Sequence, residues 1–165
     1  MTVDESSYRA AIGRFLTGVT LVTTRSADIA QGLTANSVAS VSLQPPTLLV
    51  CVNRSSTTCE AIAHAAQFCI NILSAEQAEL ARVFSSRGSD KFAESAALGH
   101  AWLDTESGLP RLADALATLE CRVSDYSDAR SHRIFFGEVL RVTTTDAEPL
   151  GYYRGGFRQL AAPRS

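Results

Sequence analysis

Four short constellations in the chain combine residue types that can hold or position a ligand. The first is Thr34-Ala35-Asn36-Ser37, followed by Ser40, Val41 and Ser42. Small side chains there let a flat ligand approach the backbone, while hydroxyls and an amide offer hydrogen bonds to ring carbonyls. Thr34, Asn36, Ser40 and Ser42 share one parity, which also describes the solvent-facing side of a strand, and spacing alone favours that plainer reading. The second constellation is Asn53-Arg54-Ser55-Ser56-Thr57-Thr58, set between an apolar run and a helix-like run. Backbone N–H groups at a helix start, several hydroxyls and one guanidinium suit a phosphate. Thr57-Thr58-Cys59-Glu60 also fits a T-x-x-E capping box, which needs no ligand, and Thr57 can cap while its neighbours face outward.

The third is Ser131-His132-Arg133-Ile134-Phe135-Phe136-Gly137-Glu138-Val139, in which His132 stands where a polar loop enters an apolar strand. A histidine there can stack on or hydrogen-bond to a ligand, although a surface histidine is the commoner outcome. His64 and His100 lie in other segments, so no histidine pair has metal-ligand spacing. The fourth is Tyr152-Tyr153-Arg154-Gly155-Gly156-Phe157, whose aromatics can rim a ring-binding cleft or plug the end of a barrel. No G-x-S-x-G, P-loop or G-x-G-x-x-G is present, so serine hydrolase and Rossmann readings lack support.

These groups need elements to place them. Apolar spacing predicts a helix over 8–16, stopped by Gly18, then a β-branched strand over 19–24. A polar connection over 26–31 precedes one long hydroxyl-rich strand over 32–43. Gln44-Pro45-Pro46 breaks the ladder, and 47–52 is a fully apolar strand. A helix over 58–66, a strand over 68–73 and a helix over 75–84 follow. Residues 85–109 read as irregular with one short helix at 91–97, and strands are expected over 117–126 and 132–144, with short pieces at Tyr152 and Phe157. Many strands, a few short helices and the turn signals between them predict a small barrel or sandwich with helices packed outside.

Composition sets the limits. With 165 residues and 17.7 kDa the chain suits one domain, 1–165, with a core needing neither metal nor disulfide staples. At 45% hydrophobic and 19% charged it is not intrinsically disordered. A net charge of -2, scattered arginines and a single lysine, Lys91, argue against nucleic-acid binding. Cys51, Cys59, Cys69 and Cys121 show no C-x-x-C, which disfavours zinc and a disulfide framework. Without a basic n-region or a membrane-length apolar run, the expectation is a cytoplasmic protein with no membrane contact. The length leaves no room for separate nicotinamide and flavin domains, so any redox chemistry belongs to one small site.

Individually weak, these signals fall in a distinctive order. Phe15 to Thr23, Gly32 to Pro46, Leu48 to Asn53, Phe68 to Leu73, Leu80 to Ser85 with Asp90-Lys91-Phe92, Ile134 to Val139 and Pro149 to Phe157 match in turn. On these residues the chain resembles the flavin reductase-like family, the small reductase components of two-component flavin-dependent monooxygenases. Thr34-Ala35-Asn36-Ser37 with the Ser40-to-Pro46 segment is the most specific part. The resemblance implies a mainly β fold, the Greek-key FMN-binding split β-barrel with a few flanking α-helices. It also implies a flavin site. Thr34, Ala35, Asn36 and Ser37 would line the isoalloxazine ring and ribityl chain, with Ser40, Val41 and Ser42 nearby. Cys51, Val52 and Asn53 would pass beside the flavin, Arg54, Ser56 and Thr58 would hold its phosphate, and Phe84 and Ser85 match a further flavin-contacting pair. His132 matches the histidine that meets the nicotinamide cofactor, and Tyr152 an aromatic near that pocket. Where family members often carry Gly-Asp-His, this chain has Arg130-Ser131-His132.

The implied activity is NAD(P)H:flavin oxidoreductase. A hydride passes from NADH or NADPH to FMN or FAD, and reduced flavin is supplied to a partner oxygenase. Such a transfer needs stacked rings more than an acid or base, so no catalytic side chain is assigned and positioning is the protein's main tool. A homodimer with flavin near the subunit interface is expected. The alternatives are a flavin-binding carrier or redox-sensor module on the same barrel and, behind it, an interaction domain without a ligand.

Overall fold

A computed structural model describes residues 2–88 and 90–160. The chain runs α1 (Glu5–Ile12), β1 (Thr17–Gly18), β2 (Thr20–Ser26), β3 (Ile29–Ala35), β4 (Val38–Leu43), β5 (Pro46–Asn53), α2 (Thr57–Ala65) and β6 (Gln67–Ile72). It continues through a 3-10 turn (Ala75–Gln77), α3 (Ala78–Ser85), α4 (Lys91–Ala97), β7 (Trp102–Asp104), β8 (Pro110–Leu112), β9 (Ala117–Ala129), β10 (His132–Thr144), β11 (Leu150–Tyr153) and β12 (Gly156–Gln159).

Seven strands form one antiparallel sheet in the order β3-β2-β6-β9-β10-β5-β4. Its two edges, β3 and β4, are consecutive in sequence and linked only through Asn36-Ser37. The sheet therefore curls its edges together through a covalent link without a ladder between them. The fold is mainly β, as expected, and among the described residues strand pairing does not close a barrel.

The core has two parts, one on each face of β2. Val22 packs with Val50, Val52, Ile62, Phe68 and Phe135 on the side covered by α2. Leu21 packs with Leu73, Leu80, Phe84, Leu112 and Leu150 on the side covered by α3. Burial of both faces is why β2 reads as a continuous β-branched and apolar run.

Several sequence expectations are corrected. The first helix lies earlier than 8–16, because Asp4 accepts the Ser7 amide at 2.9 Å and caps it, and the helix ends at Gly13. Phe15 and Leu16 fall beyond its end and are exposed. The connection over 26–31 is a two-residue hairpin turn, Ala27 and Asp28 at φ 48° and 65°, so β3 already begins at Ile29. Such turns favour Asn-Gly, and Ala-Asp gave no signal. The long strand over 32–43 is two strands at opposite edges of the sheet. The shared polar face of Thr34, Asn36, Ser40 and Ser42 therefore does not exist, and a bulge between Ser40 and Ser42 breaks the parity again.

The cap of α2 is Ser56 rather than Thr57: its hydroxyl accepts the Cys59 amide at 3.1 Å, and Thr57 instead donates to Gln31 Oε1. The helix expected over 75–84 opens as a 3-10 turn, and the irregular region contains β7 besides the helix at 91–97.

Candidate functional site

Strand β5 alternates cleanly. Leu48, Val50 and Val52 enter the core, while Leu49, Cys51 and Asn53 occupy the opposite, half-buried face. Leu49 and Cys51 of that face floor a cleft of about 970 Å³, together with Asn36, Ser37 and Val38 at the crossing between the sheet edges. Residues of α1 and the turn at Arg154-Gly155 wall it. A smaller cleft of about 360 Å³ lies between Thr34, Ser85, Val19 and Phe157, and the two clefts share Asn36, Tyr152 and Gly155. Tyr152 is held edge-on against Phe157, with ring centroids 5.8 Å apart.

The polar groups here are oriented by the backbone. The Thr34 hydroxyl donates to the Ala81 carbonyl at 2.6 Å, tying β3 to α3. The Ser37 hydroxyl donates to the Cys51 carbonyl at 2.8 Å, and the Cys51 amide donates to the Ser37 carbonyl at 3.1 Å, so the crossing is stapled to β5. Their hydroxyl protons are thus committed, and what they present to a ligand is acceptor lone pairs. Asn36 donates to the Thr17 hydroxyl at 3.2 Å and is otherwise exposed. The Ser85 hydroxyl donates to Arg82 O.

Charge in the clefts has one sign. Among the described residues no carboxylate lines either cleft, whereas Arg9, Arg14 and Arg154 line the larger one. Burial pushes the Cys51 thiol up, and raises that of Cys69 to about 12, so neither supplies a thiolate at neutral pH.

The remaining predicted residues separate into three groups. Asn53, Arg54, Ser56 and His132 come together at the far end of β5. The Asn53 side chain accepts from Ser55 N at 2.9 Å and Ser55 Oγ at 2.8 Å, and its carbonyl accepts from Ser56. His132 is the register partner of Asn53, with Nδ1 2.9 Å from the Ser131 hydroxyl. Arg54 is attached to the β9–β10 turn: its amide donates to Ser131 O at 2.9 Å, its Nη1 donates to Arg130 O at 3.4 Å, and its Nη2 lies 3.7 Å from Asp128. Asp128 in turn receives two bonds from Arg133, at 2.6 and 2.9 Å. The Arg133 hydrogen bond, reinforced by the charges of Arg133 and Arg54, holds the Asp128 carboxyl below its usual range.

Ser40, Val41 and Ser42 stand outside both clefts on edge strand β4, with Val41 49% exposed. Ala35, Val52, Thr58 and Phe84 are buried, so their side chains support the site from beneath. Phe84 is packed against Gly32, where a Cβ would come within 2.8 Å of its ring. Sequence reasoning did not find α1 as a cleft wall, nor Asp128 as the anchor of Arg54. Only the register of β9 and β10 brings Asp128 there, and no spacing in the sequence carries that signal.

Residues 12–161 match the flavin reductase like domain. The chain belongs to that family. A 4-nitrophenol 4-monooxygenase/4-nitrocatechol 2-monooxygenase reductase component of Rhodococcus opacus is 43% identical over 155 residues, covering 94% of this chain and 80% of that protein. An FMN reductase (NADH) of Agrobacterium fabrum is 39% identical, covering 93% and 85%. Among solved structures, an NADH:FAD oxidoreductase of Streptomyces globisporus in complex with NAD and FAD fragments superposes with a TM-score of 0.88 at 34% identity, covering 98% of this chain and 97% of that one. Within this flavin reductase-like fold, no helix among the described residues is long and apolar enough to cross a membrane.

Proposed function

We propose that this chain is a single flavin reductase-like domain, 1–165, that transfers a hydride from NADH to FMN or FAD and passes reduced flavin to a partner monooxygenase. The observation that carries the reading is the pair of adjoining clefts that share Asn36 and Tyr152 and lack any carboxylate among the described residues. The volume, largely apolar lining and arginine charge of the larger cleft suit a flat ring carrying phosphate. Bound flavin supplies the electron-accepting ring.

The chain's own residues position and enclose. Asn36, Ser37 and Cys51 flank the ring on the cleft floor, and Thr34 and Ser85 line the adjoining pocket. Arg54 and Ser56 offer a guanidinium and a helix start to a phosphate. His132, opposite Asn53, meets the nicotinamide together with Tyr152. Val41 and Leu43 on β4 and Phe15 after α1, at 49%, 82% and 71% exposure, are covered by a second copy in a cytoplasmic homodimer.

The test is nicotinamide consumption by purified protein with added flavin. A rate that requires flavin supports the reading. Tight flavin binding without any rate indicates a carrier or sensor on the same fold.

A further inference from the structure

The fourth constellation of the sequence, Tyr152 to Phe157, contributes more than an aromatic rim. Its turn is Arg154-Gly155, with Arg154 at φ 49° and Gly155 at φ 79°. That turn is fixed to the end of α1. The Arg154 amide donates to the Gly13 carbonyl at 2.8 Å, and a Cβ on Gly13 would lie 3.7 Å from the Arg154 Cα. This close approach sets the Arg154 backbone against Gly13, the residue before Arg14, and both arginines line the larger cleft.

Neither guanidinium has a hydrogen-bonding or carboxylate partner among the described residues, and both residues are exposed. The acidic residues on the same helix are engaged elsewhere. Asp4 accepts from Ser6 and Ser7, and Glu5 pairs with Arg9 at 2.5 Å. Two arginines on segments joined by that backbone bond, uncompensated and lining a cleft without carboxylates among the described residues, match a dianion with oxygens on two adjacent centres.

We propose that Arg14 and Arg154 form a diphosphate-binding corner for a dinucleotide bound in this cleft. The inference rests on the reductase reading. It adds a second anion site, at the α1 end of the cleft and built from elements other than the Arg54 loop. A diphosphate is present in both NADH and FAD and absent from reduced nicotinamide mononucleotide and FMN; with the flavin phosphate, and hence the FAD diphosphate, on the Arg54 loop, the occupant of this corner is NADH.

The experiment compares the wild type with Arg14→Gln, Arg154→Gln and the double variant, in steady-state kinetics and in calorimetric titration with ADP. The double variant should raise the KM for NADH by about tenfold or more, with FAD and the mononucleotides unchanged to within about twofold. Its affinity for ADP should fall in parallel. A rise for NADH alone supports the corner, and a rise for FAD alone overturns it together with the Arg54 assignment of the flavin phosphate. Unchanged KM for both dinucleotides with unchanged ADP affinity overturns the proposal, as does an equal loss for the mononucleotides. If the wild type shows no flavin-dependent nicotinamide oxidation, the reductase reading fails, and the ADP titration still decides the corner.

Discussion

His132 is the cross-strand partner of Asn53, so the residue assigned to the nicotinamide stands opposite the start of the loop assigned to the flavin phosphate. The pairing is reinforced by Arg54, whose amide and guanidinium both reach the turn that carries His132. One rigid junction between β5 and β10 therefore carries both residues proposed to hold the two ligands, and substitutions there can test the two assignments separately.

Separate substitutions at this junction should separate the ligands. His132→Ala is expected to raise the KM for NADH more than that for flavin. Arg54→Ala is expected to do the reverse, because a lost charged hydrogen bond to phosphate costs about 1.5–3 kcal/mol, or about tenfold and upward in affinity. Steady-state kinetics with each substrate varied in turn measures both.

Asp128 should act through its arginines. Asp128→Asn releases Arg54 and Arg133, so the flavin KM is expected to rise by less than in Arg54→Ala. A carboxyl whose folded pKa is lowered contributes stability that is present above its unfolded value and lost as pH falls through the folded one. The difference in thermal stability between wild type and Asp128→Asn should therefore be full at neutral pH and shrink below about pH 4. A difference that grows on acidification contradicts this assignment.

Thiol chemistry reports on the cleft floor. Cys59, Cys69 and Cys121 are buried, while Cys51 is half-buried and faces the larger cleft. A thiol-reactive probe at neutral pH should modify Cys51 first and slowly, since burial keeps its thiol protonated. Saturating flavin should protect it. Mass mapping of the labelled protein with and without FMN reads the result, and labelling indifferent to flavin would move the ring away from Cys51.

Backbone positions give stability predictions independent of any ligand. Ala66 ends α2 in the left-handed region, at φ 53°, and its side chain is exposed. Ala66→Gly should stabilise the protein by about 1 kcal/mol, raising Tm by about 2–4 °C. Gly32→Ala forces a Cβ to 2.8 Å from the Phe84 ring and should destabilise by about 1–3 kcal/mol. Because Phe84 precedes Ser85, the same change should also weaken flavin binding.

What could be read from the sequence follows from physics that is local. The helix over 91–97 and the strand over 132–144 were legible because caps, apolar runs and turn residues mark their ends. The break at Asn36-Ser37 was not, since a chain crossing between sheet edges keeps strand-like composition on both sides. The hairpin at Ala27-Asp28 lacked its usual residues. Of the residues the sequence singles out, Asn36, Ser37, Cys51 and Tyr152 gather around one cleft, whereas the side chains of Ala35, Val52, Thr58 and Phe84 are buried. Arg14 lies about 140 residues from Arg154 in the chain, and only a tertiary backbone bond joins their segments.

This chain moves a hydride from a nicotinamide cofactor to flavin. The most direct measurement is the loss of NADH absorbance by the purified protein with and without added FMN or FAD, under air and under anaerobic conditions. A flavin-dependent rate that persists anaerobically until the flavin is fully reduced is expected. Flavin binding without any acceleration of NADH oxidation would contradict it.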